Sequence, residues 1–305
     1  MDELSDIMPV LQSALGPLSG APEPLGGGIT NRNYRATLGG TEYVIRRPGK
    51  DTELLGIDRE AERMATDAAS RLGIAPAVAM SDTDFLVTGY VECRELERED
   101  FEQGVEELAR ALLAFHESDI TLPTRFWVPD LLLDYARIVT DRGGEVTPGL
   151  HDAIRVAGLI QRALPLTRPR PCHDDLLPGN IIRAGADGRL MIVDWEYAGM
   201  GDPRFDLGNL SVNNDFDEAM DERLLTAYGG GPPTDSQRAA LKLMRMLSDA
   251  REGAWAAVQA RVSELDFDFD EYGHRHFERL QAAAGAPVFQ EWLSTASEVQ
   301  GGKGT

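Results

Sequence analysis

The segment CHDDLLPGN, followed by IIRAGADGRLMIV and then DWEYAG, places Asp175, Asn180 and Asp194 in a spacing that suits metal and proton chemistry. Asn180 immediately precedes one β-like run and Asp194 immediately follows the next, with GADG turning between them. In an antiparallel hairpin, positions on either side of the open end lie side by side. Asp175 sits on the loop five residues before Asn180. Two carboxylates and an amide oxygen therefore converge, all hard oxygen ligands of the kind Mg²⁺ prefers. One carboxylate can stay off the metal and accept a proton. A lone acidic loop residue in an acidic chain is usually only solvated, so the spacing carries the chemical content.

Those positions need elements to hold them. Residues 1–16 carry Leu4, Ile7, Met8, Leu11 and Leu15 at helical spacing. A Pro/Gly-rich stretch, GPLSGAPEPLGGG, reads as an irregular lead-in. NYRATL and EYVIRRPG, separated by Gly39-Gly40, read as a hairpin. A helix is expected over Ile57–Leu72, stopped by Gly73, and a strand over Thr83–Val91. From Asp100 the pattern turns helical through FEQGVEELARALLAFHES, LLLDYARIV and LHDAIRVAGLIQRALP. TRPRPC interrupts it, the IIRA–GADG–RLMIV hairpin follows, and helices resume from about Asp217 to Ser297, broken by GGGPP. The expected class is α+β: a small β-rich N-lobe over residues 1–90, a connector near 89–93, and a large helical C-lobe over 91–305 carrying the embedded hairpin.

Composition excludes several classes. Thirty basic against 51 acidic residues give the 305-residue chain a formal charge of −21, while 42% hydrophobic content allows a real core. Binding to nucleic acid needs a basic face, which this chain lacks. No apolar run approaches the ~20 residues of a membrane span. The acidic, amphipathic start MDELSDIMPVLQSALG is unlike a signal peptide. Two cysteines, Cys93 and Cys172, make no disulfide framework and suit a reducing, cytoplasmic setting. Any anionic ligand must be held by specific cations against a repulsive background.

HDDLLPGN…VDWEYAGMGDPRFDLGN resembles the aminoglycoside phosphotransferase and choline/ethanolamine kinase superfamily, and the Trp195-Glu196 pair resembles its choline kinase-like branch. The resemblance covers nearly the whole chain and implies a bilobal protein kinase-like fold using ATP and Mg²⁺. Asp175 is then the catalytic base, and Asn180 and Asp194 are the metal ligands. GGGITNRNY is similar to the family's phosphate loop, so Gly27, Gly28, Thr30 and Asn31 are expected at the ATP phosphates. Arg46, in YVIRRPG, stands where kinases carry the strand lysine; its planar fork binds phosphate and keeps its charge. Glu62 in REAERM resembles the helix glutamate that pairs with that cation, and Glu60 competes for the role. Gly89, Tyr90 and Val91 resemble the hinge whose backbone bonds adenine. His173 is expected to orient the catalytic loop and Asp206 to brace it. His116 reads as a packed, hydrogen-bonded histidine. His274 and His276 fall on different helix faces and make no metal site.

The segment from Arg251 to Leu280 resembles the choline-binding region of that branch. Trp255 and Tyr272 match its aromatic positions, and Glu196 matches an acidic one. Glu252 stands where eukaryotic members carry a second tryptophan, which keeps an attraction for cations but removes a ring face. Asp175, Glu196, Glu252, Trp255 and Tyr272 are thus the expected contacts of a cationic small-molecule acceptor, choline first and ethanolamine second. The alternatives are another acceptor (an aminoglycoside, thiamine or a sugar) or a nucleotide-binding module without turnover. No activation-segment signature of the APE type follows Asp194, which disfavours a protein substrate.

Overall fold

The computed structural model describes residues 2–26, 31–49, 52–185, 188–263 and 265–297. The N-terminal lobe is a five-stranded antiparallel sheet, β1 (Leu18–Leu25), β2 (Asn31–Leu38), β3 (Thr41–Pro48), β4 (Val78–Ser81) and β5 (Leu86–Gly89), in the order β1-β2-β3-β5-β4. Helix α1 (Met8–Leu15) closes one face through Leu11, which packs with Leu38, Ile45 and Val87. Helix α2 (Arg59–Arg71) starts where the Asp58 carboxylate accepts from the amides of Glu60 and Ala61. It ends before Gly73, at φ +75°.

The second lobe is mainly helical: α3 (Arg98–His116), α4 (Val128–Asp141), α5 (Pro148–Ala163), α6 (Pro203–Asn213), α7 (Glu218–Gly229), α8 (Asp235–Val262), α9 (Phe269–Gly285) and α10 (Val288–Ser297). The expected hairpin is β8 (Ile181–Ala184) with β9 (Arg189–Ile192), and β6 (Cys93–Glu95) joins its open side. A second pair, β7 (Arg170–Cys172) with β10 (Gly199–Gly201), brackets the loop that carries His173 and Asp175. This is the α+β bilobal arrangement the sequence led us to expect. Among the described residues no helix is long and apolar enough to cross a membrane.

Three local expectations change. The lead-in is not irregular but forms edge strand β1, paired with β2 around a register shift between Ser19 and Glu23. Pro22 and Pro24 are tolerated because an edge strand need not donate on its open side. Helix α6 was not foreseen: every residue from Phe205 to Val212 is buried, so it has no polar face to mark a helical period. The short strands β4, β6, β7 and β10, of three or four residues each, are too brief to show alternation.

Candidate active site

The hairpin ladder pairs Ile181 with Ile192, and the Val193 amide donates to the Asn180 carbonyl at 2.9 Å. Asn180 therefore faces Val193, and Asp194 lies one residue beyond the position expected for it. Asp194 takes φ +64°, a left-handed conformation that turns the chain at this point. Asn180 Nδ2 donates to the Asp175 carbonyl at 2.8 Å and to Asp175 Oδ2 at 3.1 Å. Its Oδ1 has no hydrogen bond among the described residues and, with the Asp194 carboxylate, supplies hard oxygens that fit Mg²⁺.

The loop is held from below. Asp206, on α6, accepts from the amides of His173 and Asp174 at 2.8 Å each and contacts His116 Nε2 at 2.9 Å. Burial acts to raise the Asp206 pKa, but the hydrogen bond and charge of His116 hold it below the usual carboxylate range. His173 Nε2 donates to the Val193 carbonyl at 3.0 Å, and Nδ1 accepts from the Asp175 amide at 3.2 Å. Both ring nitrogens are thereby committed, burial lowers its pKa, and Trp195 packs against the ring. Burial pushes the Asp175 carboxyl up to about 7, against the opposing charge of Arg251.

Arg46 Nη1 reaches Glu62 Oε1 at 2.7 Å and Asp194 Oδ1 at 2.8 Å. Glu60 points outward and bonds Arg63 Nε at 2.9 Å, so the helix glutamate beside Arg46 is Glu62. A small cleft bounded by Val44, Leu86 and Thr88 from the sheet, and by Val193 and Asp194 from the hairpin, opens beside this cluster. At the hinge, the Gly89 amide bonds the Ala77 carbonyl at 2.8 Å and the Tyr90 amide bonds the Glu42 carbonyl at 3.0 Å. Among the described residues, that leaves the Val91 amide as the segment's donor without a partner. Gly27, Gly28 and Thr30 lie outside the described residues.

Asn31 and Glu196, assigned from the sequence to different ligands, meet each other. Asn31 Nδ2 donates to Glu196 Oε2 at 2.8 Å. Arg59 Nη1 joins Glu62 Oε2 at 2.7 Å to the same Glu196 oxygen at 3.3 Å. Glu196 is 3% exposed and ties the lobes together instead of facing an open acceptor space. Arg59 was missed, although its position three residues before Glu62 places both on one helix face.

Tyr272 OH, on α9, donates to Glu252 Oε2 on α8 at 2.9 Å, and Trp255 Nε1, also on α8, donates to Tyr197 OH at 2.9 Å. The Trp255 and Tyr272 rings meet edge-to-face at 6.1 Å. Trp255, Tyr272 and Glu252 are thus brought together, although Trp255 and Glu252 are buried as the structure stands. Arg251 and Tyr197, unassigned from the sequence, complete the cluster. Arg251 Nη1 lies 2.9 Å from Asp175 Oδ1 and 2.5 Å from Glu252 Oε1. Their neighbours Glu252 and Glu196 were the only sign of them in the sequence.

Residues 22–242 match the sequence model of the phosphotransferase enzyme family. A choline/ethanolamine kinase family protein from Mesorhizobium loti is similar at 31% identity and a TM-score of 0.78, covering 97% of this chain and 98% of its own. Choline kinase LicA from Streptococcus pneumoniae aligns at 26% identity and a TM-score of 0.76, over 93% and 99%. Protein LicA of Haemophilus influenzae is 25% identical over 210 residues; the match takes in 66% of this chain and 61% of that relative's length.

Proposed function

The chain belongs to the phosphotransferase enzyme family, in its choline/ethanolamine kinase-like branch, and from that membership we propose that it transfers the γ-phosphate of Mg·ATP to the hydroxyl of a cationic amino alcohol, choline or ethanolamine. One observation carries this reading. Asp175 Oδ2 faces Asn180, and Oδ1 faces Arg251, which sits in the cluster of Tyr197, Glu252, Trp255 and Tyr272. A base in that place touches both the metal side and the acceptor side of one reaction.

The acceptor oxygen attacks the γ-phosphorus, its proton passes to Asp175, and the bond to the bridging oxygen breaks to leave ADP. Asn180 and Asp194 are the proposed Mg²⁺ ligands. The ion, when bound, neutralises charge on the phosphate oxygens. Arg46 grips the phosphates, and Glu62 holds Arg46 in place. Residues 1–90 act as the nucleotide-binding lobe and 91–305 as the catalytic and acceptor-binding lobe. The setting is the cytoplasm, in keeping with two free cysteines.

The test is Mg·ATP turnover against choline, ethanolamine, neutral alcohols, aminoglycosides, thiamine and sugars. The amino alcohols should be phosphorylated far better than the rest. Asp194→Ala and Asp175→Asn should each lose about 10²-fold or more in kcat, the scale of losing one positioned charge or base. Preference for a sugar or an aminoglycoside sinks the acceptor assignment. Near-normal turnover in either variant sinks the role given to that residue.

A further inference from the structure

The acceptor cluster contains a cation of its own. Arg251 is 1% exposed, and its guanidinium carbon lies 4.3 Å over the centroid of the Tyr197 ring. The same guanidinium bonds the carboxylates of Asp175 and Glu252. A ring face flanked by carboxylates is what recognition of an ammonium group requires. In this chain an arginine side chain holds that place.

We propose that Arg251 is the specificity-determining residue of the acceptor site: as resident cation of the cage, it excludes a quaternary ammonium and restricts the acceptor to a primary one. This deepens the amino-alcohol reading above and rests on it. A quaternary head has no N–H donor and depends on open ring faces and unshared negative charge. Here the Tyr197 face is covered, Glu252 already serves Arg251 and Tyr272, and Trp255 spends its indole N–H on Tyr197. Such a head would meet the positive guanidinium, with both neighbouring carboxylates already engaged by it and no N–H of its own to share them.

A primary ammonium differs in kind, because it carries three N–H donors. An ionised carboxylate offers about four lone-pair sites. Glu252 has accepted one bond at each oxygen, from Arg251 and from Tyr272, and so keeps acceptor capacity. A short ammonium can therefore share Glu252 with Arg251 through hydrogen bonds that choline cannot make.

A second observation points the same way. Nε and Nη2 of Arg251 are buried without a hydrogen-bond partner among the described residues. Buried donors are normally satisfied, so two open ones call for an explanation. This guanidinium is placed for its charge and its plane over the ring.

The experiment uses the full chain and two readouts. Binding of tetramethylammonium and of methylammonium is measured by calorimetry, and kcat/KM is measured for choline and ethanolamine. The wild type should favour ethanolamine at least tenfold and bind tetramethylammonium weakly. Arg251→Leu should tighten tetramethylammonium at least tenfold and move the kcat/KM ratio toward choline by a similar factor. Because Arg251→Leu leaves Asp175 and Glu252 facing each other, Arg251→Leu/Glu252→Gln provides a second open cage with one charge fewer. It should also gain tetramethylammonium affinity over the wild type.

A wild type that prefers choline, or unchanged tetramethylammonium affinity in both variants, overturns the proposal and leaves the amino-alcohol reading standing. Tighter tetramethylammonium binding in the variants, with no turnover of either amino alcohol by the wild type, supports Arg251 as resident cation and sinks that reading instead.

Discussion

Arg46 Nη1 sits 2.8 Å from Asp194 Oδ1 while it also holds Glu62, so one guanidinium nitrogen joins strand β3, helix α2 and the residue beyond the catalytic hairpin. Burial works against a charged Arg46, but Asp194, Glu62 and Glu196 more than compensate and keep it firmly protonated. The proposed phosphate cation and the proposed metal carboxylate thus neutralise each other. Mg·ATP would have to separate them.

Removing the cation should act on both halves of that pair. Arg46→Ala should raise the Michaelis constant for ATP and lower kcat, each about tenfold or more, and Arg46→Lys should restore only part because the planar fork is lost. Calorimetry with Mg²⁺ alone should show tighter binding in Arg46→Ala, since Asp194 is released. Unchanged kinetics in the alanine variant would take Arg46 out of the site.

Asp206 holds the loop of the proposed base Asp175 through the amides of His173 and Asp174 and through His116. Asp206→Ala leaves those donors buried without an acceptor, at about 1–3 kcal/mol each. The expected result is a Tm lower by several degrees and a kcat reduced more than the Michaelis constant for ATP is raised. Equal losses in both constants would point to general unfolding rather than a misplaced Asp175.

Asp174 is fully buried at φ +68°, and neither carboxylate oxygen has a regular hydrogen-bond partner. Burial, reinforced by the charge of Asp206, pushes its pKa well above the ordinary 3.8; Arg251 and the Gly199 amide offset only part of this. The fold therefore favours the protonated acid. Its contribution is fully present below the unfolded pKa and is lost as pH rises through the folded one. Asp174→Asn suits the left-handed backbone and has no proton to lose. It should raise Tm by a few degrees at pH 8 and by less at pH 5. An equal shift at both values would show that the fold does not raise the Asp174 pKa.

Helix α6 presses against α8 at Gly208, where an added Cβ would stand 2.6 Å from Met244 Cβ and 2.7 Å from the Met244 carbonyl carbon. Backbone cannot step aside as a flexible side-chain tip does. Gly208→Ala should cost about 1–3 kcal/mol as an overpacked contact. It should also slow turnover, because α6 carries Asp206 and α8 carries Arg251 and Glu252. Thermal unfolding and steady-state rates check this together, and an unchanged Tm would show that the helices can move apart.

The sequence by itself determined the parts of this protein that depend on short spacing. Asn180 comes beside Val193, next to Asp194, because a local hairpin brings its two ends together whatever surrounds it. Arg46 lies on a strand and Glu62 on a capped helix because period and turn residues mark those elements. Tertiary packing decided the pairings between distant charges. Docking of α2 on the sheet selected Glu62 over Glu60, closure of the lobes joined Asn31 to Glu196, and the seating of α8 brought Arg251 over Tyr197 and onto Asp175. Neighbours along the chain prescribe an element's local conformation and the spacing of its side chains. The distance from one such element to a charge on another is set only once both are packed, because burial then makes any unmatched charge costly.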